Sequence, residues 1–310
     1  MLLAALLFLV SVMVLWWSAD RFVLASVAMA KRWHWPPLVI GVVLVGFGTS
    51  FPEWVVSLSA SLNGQASMAA ANVVGSNIAN LALIGGLACV FFPMTIARRV
   101  WTHDLPTFLV LSAIVIGACW YLGFGVKAAW VMLALLCVVL FDALRVAKKD
   151  PHPPEEGDVL AGFGVSLMWW VIGLALLFAS AEGLVRSASF LAHQWGWSEW
   201  LIGLTVVTLG TSLPELAATL VSARRGHNDV AIGHLIGSNV FNTTAVLAMP
   251  ALFGHRPFLI LPLSYNWLIM MGMSALFWVL LMLTRKKTHC PHWVGYVLLL
   301  AYAVYLWWVF

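Results

Sequence analysis

Charge is what this chain has least of. Of its 310 residues only 9% are charged, against roughly 25% in an ordinary soluble domain, and the mean hydropathy is +0.97. Polar stretches are as scarce: Lys148 to Asp158 is the one polar run of any length between apolar runs of about 20 residues. A soluble globular fold is thereby excluded. The apolar runs do not alternate with polar residues as barrel strands do, so helices remain the way to satisfy backbone groups in lipid. Cysteine is also sparse. Cys89, Cys119, Cys137 and Cys290 show no metal-ligand or redox spacing and read as small hydrophobes within helices. The net charge of +4 is no nucleic-acid signature. No basic residue precedes the apolar run from Leu2 to Trp17, and no small-residue cleavage site follows it, so it reads as a retained first span.

What is present divides into ten expected spans: 2–30, 38–62, 68–92, 105–121, 126–146, 160–192, 200–223, 230–252, 259–283 and 291–309. The first and sixth are long enough to tilt or to extend past the bilayer. Lysine and arginine orient the set. Twelve of the sixteen fall in loops that lie on one side if the N-terminus is outside: Lys31, Arg32, Arg98, Arg99, Arg145, Lys148, Lys149, Arg224, Arg225, Arg285, Lys286 and Lys287. Only Lys127 and Arg256 fall in loops on the other side, while Arg21 and Arg186 lie within spans. The positive-inside rule then places both termini outside and the central loop in the cytoplasm. Trp16, Trp17, Trp33, Trp35, Trp195, Trp197, Trp307 and Trp308 lie near span ends, as interfacial anchors do.

The chain repeats itself. Residues 18–80 align without a gap on 180–242, with about a third of positions identical. Gly48-Thr49-Ser50-Phe51-Pro52-Glu53 answers Gly210-Thr211-Ser212-Leu213-Pro214-Glu215, and Gly75-Ser76-Asn77-Ile78-Ala79-Asn80 answers Gly237-Ser238-Asn239-Val240-Phe241-Asn242. Shared Leu and Val would follow from lipid alone; shared Gly, Pro, Glu and Asn at one offset do not. The expected organisation is a first half at 1–147, a cytoplasmic linker at 148–159 and a second half at 160–310, with the repeated motifs in about 38–92 and 200–252. Five spans per half is an odd number, which inverts the second half relative to the first, a recurring plan of transporters whose ion sites lie near the midplane.

Glu53 and Glu215 are the residues that need an explanation. An acid inside a span costs roughly 2.5–3.5 kcal/mol even on the insertion scale, so it points to function. On a helix Gly46, Thr49, Ser50 and Glu53 share one face, continued by Ser57; Thr208, Thr211, Ser212 and Glu215 repeat it, with Thr205 and Thr219 at the ends. Pro52 and Pro214 are expected to kink both helices and free the carbonyls of Gly48 and Gly210. Ser76 with Asn80, and Ser238 with Asn242, stand four residues apart, and Gly75 and Gly237 are expected to admit a neighbouring helix. If these four spans converge, every donor is oxygen and neither His nor Cys joins them. Calcium and sodium suit such a site, magnesium less well, and zinc or copper would ask for His or Cys. Elsewhere the structural reading comes first. Asp20 with Arg21 and Glu182 with Arg186 are expected to pair internally or to face water near helix ends. Asp142 and Arg145 are expected at the interface, and His234, where the first repeat has Asn72, as a packed or water-facing residue.

Together these paired phrases resemble the calcium/cation antiporter superfamily, specifically its prokaryotic sodium/calcium exchanger branch, over nearly the whole chain. The resemblance implies an all-α membrane protein of ten transmembrane helices in two inverted five-helix repeats, in a prokaryotic inner membrane. It implies that Glu53 and Glu215 are carboxylates shared by Ca2+ and Na+, with flanking oxygens from Thr49, Ser50, Thr211 and Ser212, carbonyls of Gly46 and Thr208, and Ser76, Asn80 and Ser238 completing the sites. Asn242 stands where some members carry Asp, and His234 where Asn is usual. The function implied is exchange of Ca2+ for Na+ by alternating access, with no cofactor, no enzymatic activity, no nucleic acid and no obligate protein partner, in contact with membrane lipid. Two alternatives stay open: a Ca2+/H+ antiporter using the same carboxylates, and a passive cation channel. A membrane enzyme is the least supported, since no nucleophile–base pair recurs.

Overall fold

A computed structural model describes residues 1–36, 39–149, 162–197, 208–254, 261–287 and 289–309. Among them the regular structure is helical throughout. In chain order the helices are α1 (Leu2–Trp33), α2 (Ile40–Leu62), α3 (Ala66–Phe91), α4 (Val100–Leu122) and α5 (Val126–Lys149). There follow α6 (Phe163–Gln194), α7 (Leu213–Arg224), α8 (Asn228–Phe253), α9 (Leu261–Thr284) and α10 (His292–Val309). One helical turn, Thr208–Thr211, precedes α7. Among the described residues eight helices are long and apolar enough to cross a bilayer; α10 is a shorter apolar helix, and the start expected for the seventh span lies outside the described residues. The proposed linker from 150 onward, Thr205 and Arg256 lie outside them too.

The repeat seen in the sequence is also a repeat of structure. Shifting Ala66–Phe91 by 162 residues lands on Asn228–Phe253, and the end of α2 at Leu62 lands on the end of α7 at Arg224. Both α1 and α6 have 32 residues. The two central helices share a further detail. Each contains a π-helical turn at the corresponding place, Ala79–Ile84 in α3 and Asn242–Val246 in α8. Such single wide turns within α-helices are frequent at functional sites, because they displace the backbone and re-aim side chains.

Burial sorts the helices by depth. The apolar windows of α3 and α8 are 78% and 89% buried and those of α1, α5 and α6 only 22%, so α3 and α8 form the centre and the other three the periphery. One core gathers Ile78, Leu81, Phe108, Met132, Leu235 and Phe277; a second gathers Phe22, Val45, Leu177 and Val221 between α1, α2, α6 and α7. The α1–α6 pair is close-packed, since a methyl on Gly173 would lie 3.0 Å from the Phe22 nitrogen. Trp17 meets Trp169 edge-on at 5.8 Å, and Phe22 packs on Trp170.

One pairing differs from the sequence expectation, and others join residues for which none was expected. Asp20 binds Arg225 through both carboxylate oxygens, at 2.6 and 2.7 Å, rather than its neighbour Arg21. Glu182 does pair with Arg186 within its own helix. Asp142 accepts from Arg99, and Arg145 lies over the Phe141 ring. Cys89 and Cys290, with no meaningful spacing in sequence, bring their sulfurs to 3.7 Å as free thiols. Sequence spacing reports only partners on the same helix; these partners come from helices that the fold makes neighbours.

Candidate functional site

The oxygen stripe on α2 faces the protein, as its helical spacing requires. Gly46, Thr49, Ser50, Glu53 and Ser57 are all buried, while Phe47, Phe51, Val55 and Val56 on the opposite face are exposed. Across from it, Ser212, Glu215, Thr219 and Ser222 are buried on and before α7; Thr211 is half-buried. The backbone of Thr208 opens the short turn before α7, and its side chain is outside the described set. Glu53 is 3% exposed and Glu215 1%. The two carboxyl groups interact with one another, and the Thr49 hydroxyl stands beside Glu215.

The π-helical turns of α3 and α8 bring in the amides. Asn80 and Asn242 are fully buried, as are Ser76 and Ser238. Thr49 lies 2.9 Å from His234 and 3.5 Å from Ser238, which ties the first repeat's stripe to the second repeat's central helix. Asn80 donates to the Oδ1 of Asn239, which in turn donates to the carbonyl of Asn77. The four motif-bearing segments therefore meet.

What distinguishes this centre is oxygen without partners. Ser50 Oγ, Glu53 Oε2, both carboxylate oxygens of Glu215, Asn80 Oδ1 and Asn242 Oδ1 are buried and accept no hydrogen bond. Buried polar atoms are ordinarily satisfied, and a buried unpaired charge is costly. So many orphaned acceptors around two acids, drawn from both repeats, fit a hard cation as the missing partner. No group of three or more His, Cys, Asp or Glu able to hold a metal occurs among the described residues, so the donors beyond the two acids are hydroxyl, amide and carbonyl oxygens.

The two repeats are not copies at this level. Both prolines are expected to kink their helices, yet the helix from Gly46 to Leu62 runs through Pro52 without interruption. In the second repeat the chain leaves helical geometry at Ser212 (φ −93°, ψ 5°), and Pro214 sits in the first turn of α7, where a missing N–H removes no helical bond. The glycines differ as well. A methyl on Gly237 would lie 2.5 Å from the Cα of Val42 and 2.7 Å from its carbonyl oxygen, and Gly41 likewise lies against the backbone of Val230 and His234. Gly75, the counterpart of Gly237, has nothing within 4 Å of that position, so the close approach expected there is absent.

One pair of residues escapes the sequence reading. Asn77 and Asn239 stand inside the repeated phrases, and that repetition is the signal that could have found them. Asn239 fixes the amide of Asn80 so that its oxygen is left over, and Asn77 donates to Thr243 at 2.8 Å. His234 is packed, the first of the two expected alternatives: it is 0% exposed and its two ring nitrogens lie 2.9 and 2.8 Å from the hydroxyls of Thr49 and Thr219. Replacing His234 by Leu strands buried hydroxyls and is expected to lose about 1–3 kcal/mol of stability. The fall in thermal midpoint of the purified protein, against a smaller fall for His234→Gln, checks this.

A repeated helical membrane protein whose acids converge at the buried centre has the build of a transporter. Comparison with known proteins names the group. A family model described as sodium/calcium exchanger protein matches residues 3–144 and 165–310. The chain belongs to the sodium/calcium exchanger family. Inner membrane protein YrbG of Escherichia coli (strain K12) is 35% identical over 318 residues, covering 99% of this chain and 96% of that one. Sodium/calcium exchanger MaX1 of Methanosarcina acetivorans is 27% identical over 345 residues, covering 98% and 96%. Among solved structures, the sodium-calcium exchanger NCX_Mj soaked with 2.5 mM Na+ and 10 mM Sr2+ is similar at a TM-score of 0.82 and 27% identity, covering 98% of this chain and 97% of that one. The protein is thus an integral membrane protein of an antiporter family.

Proposed function

We propose that this protein exchanges Ca2+ for Na+ by alternating access at the Glu53–Glu215 centre. The observation that carries the reading is the set of buried oxygens with no protein partner, contributed by both repeats around two acids. Glu53 and Glu215 supply the charge. Thr49, Ser50, Thr211, Ser212, Ser76, Ser238, Asn80 and Asn242, with the carbonyls of Gly46 and Thr208, supply neutral oxygens. Two carboxylates carry two negative charges, which one Ca2+ or two Na+ neutralise. An unneutralised pair is too costly to carry through a low-dielectric interior, so the site changes sides only when loaded. Exchange rather than leak is the consequence.

Helices α1 and α6 are the candidates for the moving elements. They are peripheral, and they pack closely on each other. Phe22 of α1 and Trp170 of α6 both close on Gly48 beside the site, where a methyl would lie 2.9 Å from the Phe22 ring and 3.3 Å from Trp170. Displacing this pair along α2 would open and close access to the carboxylates.

The test is radioactive calcium uptake into proteoliposomes loaded with sodium. Uptake is expected only when sodium is absent outside, so that its gradient points outward. Uptake that ignores sodium but follows an imposed pH gradient would replace Na+ by H+ as the coupling ion. Uptake that needs neither and does not saturate would make the protein a channel. A further expectation concerns Asn239. Its replacement by Ala releases the Asn80 amide, and outer-shell partners of this kind are worth about 10–100-fold in metal affinity. The concentration of Ca2+ giving half-maximal uptake should rise by at least about tenfold, with the maximal rate much less affected.

A further inference from the structure

Beside α1 and the end of α7 lies a second polar feature that ion exchange does not use. A cleft of about 590 Å3 is lined by Met13, Trp16, Trp17, Asp20, Arg224 and Arg225. Its charge is unbalanced. Asp20 is engaged by Arg225 through both oxygens. Arg224 has no carboxylate within ion-pair distance among the described residues; it lies over the ring of Trp16 at 5.6 Å. Arg21, next to the cleft, is stacked between Trp17 and Trp169 at 5.9 and 5.8 Å, and its buried Nε has no hydrogen-bond partner. Two guanidinium groups thus line the cleft with one carboxylate, and of the two Arg224 is held by an aromatic face alone.

The depth of the cleft decides what anion meets it. Arg225, the residue that caps α7, is ten residues beyond Glu215, a rise of about 15 Å, which is half the thickness of a hydrocarbon core. If the two acids lie near the midplane, the arginines lie at the level of the headgroups, on the side that the positive-inside bias makes cytoplasmic. The adjoining face of α1 is apolar and open: Met13 is 63% exposed and Trp17 43%. A ligand with a phosphate at one end and acyl chain at the other matches this arrangement, with the phosphate oxygens taking the fork of Arg224 and the chain lying on Met13 and Trp17.

We infer that the cleft between α1 and the C-terminal end of α7 is a binding site for the phosphate of an anionic membrane phospholipid. Arg225 is kept for Asp20, which leaves Arg224 as the phosphate-binding residue. The site joins a peripheral helix to the helix that carries Glu215, so the lipid bridges two elements that the proposed exchange cycle moves apart.

Native mass spectrometry of the purified full chain tests this, with phosphatidylglycerol and phosphatidylcholine offered in turn. The wild type is expected to retain one phosphatidylglycerol more tightly than any phosphatidylcholine. Arg224→Gln should weaken that binding at least tenfold. Arg224 is exposed, so its variant folds; an unchanged gel-filtration profile and thermal midpoint confirm this. Equal retention of phosphatidylglycerol by the wild type and Arg224→Gln would overturn the proposal, as would equal binding of the two lipids. Displacement of phosphatidylglycerol by inorganic phosphate would also overturn it, by making this a site for a soluble anion.

Discussion

Sodium-driven calcium uptake falls to the level of protein-free vesicles when Glu53 or Glu215 is replaced by Gln. Glutamine keeps the volume and one oxygen of the side chain and removes only the charge. Two unit charges 4 Å apart interact by about 4 kcal/mol at an effective dielectric of 20. A divalent ion doubles that figure and ligand distance raises it further, so even the lowest value corresponds to about a thousandfold in binding. Both ions lose the same carboxylate, and neither direction of exchange survives. The fold should not suffer. Neither acid makes an ion pair with Arg or Lys among the described residues, and their orphaned oxygens hold nothing in place. Neutralising a buried unpaired acid removes a penalty, so the variants should match or exceed the wild type in thermal midpoint. Robust sodium-driven uptake in both variants would remove these residues from the site.

The second large effect separates two glycines that the sequence makes equivalent. Gly237→Ala is expected to lower exchange by more than tenfold and to destabilise the protein, while Gly75→Ala leaves both nearly unchanged. The methyl on residue 237 meets backbone, the Cα at 2.5 Å and the carbonyl carbon at 3.0 Å of Val42, and no side-chain rotation relieves that. Helix α8 must retreat from α2, and overpacking of this kind typically costs about 1–3 kcal/mol. The same interface aligns Thr49 with His234 and Ser238, so a displaced α8 also pulls apart the two repeats' contributions to the site. Around Gly75 nothing lies within 4 Å, and alanine is the better helix former by about 1 kcal/mol. Uptake and thermal midpoints of the two variants measured side by side decide it. Equal sensitivity at both positions would mean that the central helices pack symmetrically.

These predictions mark where sequence reading stops. The stripe of Gly46, Thr49, Ser50 and Glu53 was legible because helical spacing is local, and because an acid in a long apolar run has no cheap structural explanation. The repeat was legible because Gly, Pro, Glu and Asn recur at one offset, and the corresponding helix bounds then follow it closely in space. Element ends were less so: the expected fourth span begins at 105, whereas α4 begins at Val100 with a π-helical turn that no residue pattern announces.

By itself, then, the sequence determined that the chain is a repeated helical membrane protein, and which face of α2 and α7 carries the oxygens. Those properties come from composition and from period, which act along one helix at a time. Only the tertiary structure decided which equivalent residues do equivalent work. It let the first helix continue through Pro52 and broke the second at Ser212, pressed α2 on Gly237 but nothing on Gly75, and set His234 between Thr49 and Thr219. It also gave Asp20 to Arg225 and the oxygen of Asn239 to Asn80. The reason is that a repeat fixes what each half contains, whereas packing depends on rotation and distance between helices far apart in the chain. Two halves of one molecule need not share those, because each is the other's surroundings.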